Sequence, residues 1–357
     1  LCELLQTGLV DAVVHVKPCA DTSGKLFSYQ ISRSTQEICD GAKSRYYPVE
    51  MSAVLREIRE RPGRYAFVGL PCFVKAVRLL CSADAVLAGR IPFCVSLFCG
   101  HLKTAGFAGY LAWHCGIAPS AGLRSIDFRK KLLDRDAASY GVEVAGKGPA
   151  EDLQAVKPMS EVFGADWGLG FFRYEACDYC DDILGETADV SLGDAWLGDY
   201  VNDPMGTNVL VIRHPEIQKL FRQAREGGRL TLTPIGAETV AGSQGGSFRH
   251  RRLGLSYRLH LAERAGRWYP PKRVKPDSWK GDARFRRIHR ARMALAARSH
   301  WAWLEASRAA DLKVFEQTMA PLVRRYAIIC RHAAPVWPRA LSLGQRVLLL
   351  PARERRY

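Results

Sequence analysis

The sequence predicts an α/β protein with a mixed, largely parallel sheet and flanking helices, followed by a basic helical C-terminal extension. Three observations carry that prediction. Short apolar runs of strand length alternate with helix-like stretches through the first two thirds of the chain. Glycine and proline punctuate the joints between them. Past residue 248 the composition shifts to Arg, Ala, Trp and His.

Taken in order, residues 2–7 read as a helix and 11–16 (DAVVHV) as a strand. The first residue is Leu, and the chain opens inside that helical pattern, so the natural N-terminus is expected further upstream. Residues 52–60 have amphipathic helical spacing. Residues 64–69 (RYAFVG) form a buried strand that runs directly into a helix at 71–81. A second such unit follows, with strand 91–98 (IPFCVSLF) and helix 104–115. Residues 124–127 are strand-like; further strands are expected at 188–192, 208–213 and 230–233, with a helix at 215–226. The stretch 242–247 (GSQGGS) reads as a flexible boundary. Beyond it, the three prolines of 268–276 predict extended chain and 284–330 predicts helix. Three regions result: 1–65, 66–247 and 248–357. There is no internal repeat.

The net charge of +16 is concentrated in the last region. Residues 249–357 hold 26 Lys and Arg against 7 Asp and Glu, and the rest of the chain is slightly acidic. Nucleic-acid binding is not expected, because the Arg-rich helices bring charge without a reading motif. A basic, Trp-rich surface suits peripheral contact with anionic lipid or an acidic partner. No run of about 18 apolar residues predicts a membrane span. Eleven cysteines do not have the spacing of a small disulfide scaffold, and a reducing cytoplasm fits them best. Cys39, Cys81, Cys94, Cys115 and Cys330 stand singly in apolar surroundings, as reduced, buried thiols do.

Four motifs point to chemistry. Gly69-Leu70-Pro71-Cys72 joins a strand to a helix, placing Cys72 where a helix N-terminus stabilises a thiolate. Phe98-Cys99-Gly100-His101 ends the next strand, so Cys72 and Cys99 share the sheet edge at which ligands gather. Cys177-Asp178-Tyr179-Cys180 brings two sulfurs together, and acidic residues rather than a helix follow, which disfavours a redox dithiol. Four thiolates suffice for a cubane iron–sulfur cluster, and equally for a four-cysteine zinc site. Phe128-Arg129-Lys130-Lys131 places cations at a strand end, where they hold a phosphate or an anionic flavin ring, or simply face solvent.

These motifs, together with LFCGHLK (97–103), ADVSLGDAW (188–196) and GTNVLVIR (206–213), occur in an order that resembles the beta subunit of coenzyme F420 hydrogenase/dehydrogenase. The wider family includes 7-hydroxymethyl chlorophyll a reductase-like and bacterial polysaccharide-associated members. The resemblance covers residues 1–247; the Gly-Gly-rich opening of the family is absent, and 248–357 lies outside its core. It implies FAD and a 4Fe–4S cluster exchanging electrons with an organic substrate or a deazaflavin-type coenzyme, and a redox partner protein or small molecule. It implies Cys72, Cys99, Cys177 and Cys180 as cluster ligands. It places His101 and Lys103 in the catalytic role, and Ser44, Tyr46, Arg129, Lys131 and Asp194 at the cofactor. The alternative is a non-enzymatic accessory protein of polysaccharide or envelope synthesis whose four cysteines hold a structural metal.

Overall fold

The computed structural model describes residues 1–19, 24–120, 122–148 and 151–331, so the last stretch of the basic extension expected over 248–357, residues 332–357, lies outside the described residues. The chain divides into two compact units, Leu1–Val162 with Asp182–Thr233, and Phe163–Asp181 with the chain from Pro234 onward.

The first unit opens with α1 (Cys2–Gln6), β1 (Ala12–Pro18), β2 (Phe27–Ser32), α2 (Thr35–Asp40) and α3 (Ser52–Glu60). Then come β3 (Tyr65–Gly69), α4 (Pro71–Ala83), α5 (Ala85–Arg90), β4 (Phe93–Leu97) and α6 (Ala105–His114). Strands β5 (Leu123–Lys130), β6 (Gly141–Lys147) and β7 (Asp152–Pro158) form a separate antiparallel sheet. The unit closes with β8 (Val190–Asp194), α7 (Gly198–Val201), β9 (Asn208–Ile212) and α8 (Pro215–Glu226).

The main sheet has the order β2-β1-β3-β4-β8-β9. Its four inner strands run parallel and both edge strands are antiparallel, which is the mixed, largely parallel sheet the sequence predicts. The inner strands are apolar on both faces because helices cover both. Successive residues point to opposite sides. Ala12, Val14, Tyr65, Phe67 and Cys94 pack with Val54, Ile58, Val74 and Val77 of α3 and α4. Val13, Ala66, Val95 and Val190 pack with Leu4, Ile38 and Ile217 of α1, α2 and α8. A capping box of Ser34 and Glu37 starts the short α2.

His15 in β1 is buried, its Nε2 2.8 Å from the Ser32 hydroxyl. Burial, helped by Lys17, lowers its pKa to about 4. An unfolded imidazole takes up its proton below about 6.5, so stability is full above that pH and declines as the pH falls toward 4. Equilibrium unfolding should show a slope of up to about 1.4 kcal/mol per pH unit from this group across that window. His15→Gln should flatten it; an unchanged slope would remove His15 from the account.

The second unit holds α9 (Ala237–Ser243), α10 (Gly245–Phe248), a π-helical turn (Arg249–Leu253), α11 (Gly254–Arg264), α12 (Ala283–Ala309) and α13 (Leu312–Arg331). Helices α12 and α13 pack on each other across Ala310, which takes a left-handed conformation. The helix-rich reading of 284–330 holds.

Three local expectations do not. Residues 230–233 form no strand: the chain turns after α8 through Gly228 at φ 68°, Leu230 N–H bonds back to the Ala224 carbonyl, and Pro234 follows. Residues 242–247 are helical rather than flexible, and Ser243 and Gln244 are buried. Cys39 is exposed, because the six-residue α2 buries only Ile38, and Cys81 and Cys330 are half-buried.

Candidate redox site

In the first unit, β3 ends at Gly69, and Leu70 caps α4 with Pro71 in its first turn and Cys72 directly after. Glycine is required at 69: a Cβ there would lie 2.9 Å from Phe67 and 3.0 Å from the Tyr29 hydroxyl. Cys72 is exposed at the positive end of the helix dipole. The buried Tyr29 is held in its protonated form, first by burial and then by the charge of Cys72.

Cys99 follows β4 and is buried. Phe98 N–H bonds to the Leu192 carbonyl at 2.6 Å, and Cys99 N–H to the Ile183 carbonyl at 3.0 Å. Gly193 makes room for this path, since a Cβ there would fall 2.2 Å from the Phe98 ring. Gly69 and Ser96 are registered partners across β3 and β4. Cys72 and Cys99 each lie three residues beyond that pair, so the two sulfur-bearing residues leave the same edge of the sheet at the same offset.

The cofactor-binding candidates of this unit come together. Arg129, at the end of β5, is 9% exposed and pairs with Asp194, at the end of β8, at 2.5 Å. Its guanidinium lies 4.6 Å over the Tyr140 ring and 5.4 Å over Trp196. Tyr46 hydrogen-bonds through its hydroxyl with Arg129 and Ser44; burial raises its pKa against the pull of Arg129. Burial opposes the Arg129 charge, but Tyr46 and Asp194 outweigh it and the pKa rises. Lys131 is lowered by burial and by Arg129. Phe128 links this group to the rest. It stacks on Phe107 (6.1 Å) and meets Tyr46 edge-on (5.6 Å). Lys103, 2% exposed, lies 4.6 Å over Phe107, and His101 is buried nearby in sequence. Tyr140 and Trp196 escaped the sequence reading. Trp196 stood inside a quoted motif, while Tyr140 follows a loop with no signal.

A cavity of about 260 Å³ opens beside this group, lined by Phe27, Lys43, Arg45, Arg124, Asp127 and Glu143 among others. Lys43 pairs with Asp127 at 3.0 Å and holds φ at 102°, a conformation that side chains seldom adopt.

In the second unit, Cys177 lies within a 3-10 turn, Glu175–Tyr179, and Cys180 caps its end; the turn does not open an α-helix. Asp178, between them, is buried and receives Arg173 at 2.8 Å. Phe172 holds φ at 58°, locked by its N–H bond to the Ser299 hydroxyl and by stacking on Phe315. Among the described residues, no three His, Cys, Asp or Glu side chains gather as ligands of one metal ion. Among them, too, no helix is long and apolar enough to cross a membrane.

Two family models match the chain, both of the "Coenzyme F420 hydrogenase/dehydrogenase, beta subunit". The model of its N-terminal part covers residues 1–56, and the model of its C-terminal part covers 63–238. No curated protein sequence matches. Among solved structures, a chain of the F420-reducing [NiFe] hydrogenase complex from Methanosarcina barkeri is similar in fold. It is 15% identical with a TM-score of 0.52, over 75% of this chain and 86% of that one. The chain therefore belongs to the coenzyme F420 hydrogenase/dehydrogenase beta subunit family, which gives it a redox role.

Proposed function

We propose that this protein is an iron–sulfur flavoprotein oxidoreductase moving electrons between a 4Fe–4S cluster, FAD and an organic substrate or deazaflavin-type coenzyme. The carrying observation is the single constellation of Ser44, Tyr46, Arg129, Lys131 and Asp194, walled by Tyr140 and Trp196. Cations locked against aromatic faces suit an electron-rich ring and its phosphates. The donor chemistry suits the cluster: Cys72 sits at a helix N-terminus, Cys99 leaves the same edge, and Cys177 and Cys180 share one turn. We assign all four as its ligands.

When bound, the flavin supplies two-electron chemistry and the cluster one-electron transfer. The residues of the chain do the rest. Arg129, fixed by Asp194 and two aromatic rings, would offer fixed positive charge to the negative charge of a reduced flavin. Lys131 adds a second cation that burial makes a readier proton donor. Tyr46 and Ser44 orient the Arg129 fork. His101 and Lys103 we place at the substrate. A redox partner protein is in keeping with the fold's occurrence in a multi-subunit hydrogenase.

Protein purified without oxygen should be brown, with about four iron and four acid-labile sulfide per chain and bound FAD. Colourless protein with stoichiometric zinc would sink the proposal.

A further inference from the structure

Asp178 is held twice by arginine. Arg173 Nη2 donates to its carboxylate at 2.8 Å. Arg258 Nε donates to its main-chain carbonyl at 2.8 Å and lies 3.5 Å from the carboxylate. The two arginine side chains are 3% and 2% exposed. Arg258 also donates through Nη2 to the His250 carbonyl at 3.0 Å. It thus ties the middle of the Cys-x-x-Cys turn to the π-helical turn that precedes α11. Gly254 permits this approach, because a Cβ there would lie 2.7 Å from His289 Nδ1 and 3.0 Å from Arg258 Nη1. Arg258 stands beyond residue 238, where the family match ends.

The charge around Asp178 does not balance. Two buried guanidinium groups face one carboxylate, and the half-buried Arg292 of α12 adds to the same positive field. His250 and His289, stacked at 5.9 Å, are kept neutral by burial and by these arginines. Arg173 Nε, Arg258 Nη1 and both histidine Nδ1 atoms are buried with no hydrogen-bond partner among the described residues. Buried positive charge is costly unless something negative answers it.

We propose that Arg173 and Arg258 are positioning residues of the Cys177–Cys180 turn, and that their surplus positive charge sets the cluster's reduction potential. Helices α11 and α12 are then working components of the redox site. The inference rests on the cluster reading above. A cluster held by four thiolates carries net negative charge and gains one more on reduction. Nearby positive charge therefore favours the reduced form and raises the potential. The step is one electron taken from an added reductant such as dithionite, with no bond made or broken.

The test is a potentiometric titration of the full-length protein, purified without oxygen and followed by EPR and visible absorbance. Arg258→Gln should lower the potential by about 59 mV, a tenfold change in the oxidised-to-reduced ratio at fixed potential. Asp178→Asn should move it the opposite way. Arg292→Gln, which does not touch the turn, should lower it while leaving iron retention against a chelator unchanged. Arg258→Lys, charged but without the fork, should keep the potential near wild type and lose iron faster. Potentials that stay put, or that move in the same direction for Arg258→Gln and Asp178→Asn, would overturn the inference alone. Wild-type protein without iron would overturn the cluster reading as well.

Discussion

Replacing Asp178 by Ala is expected to lower stability by about 3–5 kcal/mol, because it strands two buried guanidinium groups at once. Arg173 and Arg258 are both nearly inaccessible, so water cannot take over the role of the carboxylate. The cost comes from the charge left behind rather than from the packing of a small side chain. A double variant, Arg173→Ala with Asp178→Ala, should therefore recover part of the loss. Denaturant unfolding of the wild type, the two single variants Arg173→Ala and Asp178→Ala, and the double variant reads the coupling. Strictly additive effects, or a single-variant cost below about 1 kcal/mol as at a surface pair, would refute it.

Cys177→Ser is expected to reduce bound iron and sulfide from stoichiometric to near background. A serine hydroxyl is a poor match for a soft iron–sulfur site. The informative control is Cys94→Ser. Cys94 lies within β4, fully buried, and burial pushes its thiol pKa up to about 12. It is a neutral packing residue, so its replacement should leave iron content intact even if the sheet is weakened. Equal losses from both variants would mean that iron content reports folding instead of ligation.

The inner strands were legible because both faces are apolar, giving short continuous runs such as YAFVG and FCVSL. Helices α3 and α8 appear at the predicted residues, 52–60 and 215–226, since each buries one stripe under a clear stop and start. Strand β7 was not legible: it lies on an open face, with exposed and half-buried residues alternating and none buried. Strand β6 contains two glycines and only the apolar Val142, Val144 and Ala145 to announce it. At the site, the sequence reading brought out residues near a strand end, such as Cys72, Cys99 and Arg129. Arg258 was missed, since nothing local marks an arginine whose partner is 80 positions away; Arg173 was missed although its partner Asp178 is only five positions on, because an Arg-to-Asp spacing of five is no helix or strand signal.

The place of β8 in the main sheet has a consequence for how the chain reaches its fold. Strand β4 pairs with β8, and Asp189, just ahead of β8, accepts the Cys94 N–H across 95 positions. Strands β1, β3 and β4 leave the ribosome well before their last parallel neighbour does. Until then β4 is an open, apolar edge, of the kind that recruits other chains. Closing so long a loop is only modestly dearer than closing a short one, but it is slow, because distant pairings must be found before they reward the search. Production of this protein should therefore be limited by the lifetime of that unfinished edge, and chaperones that shield nascent strands should raise its yield more than lower temperature alone.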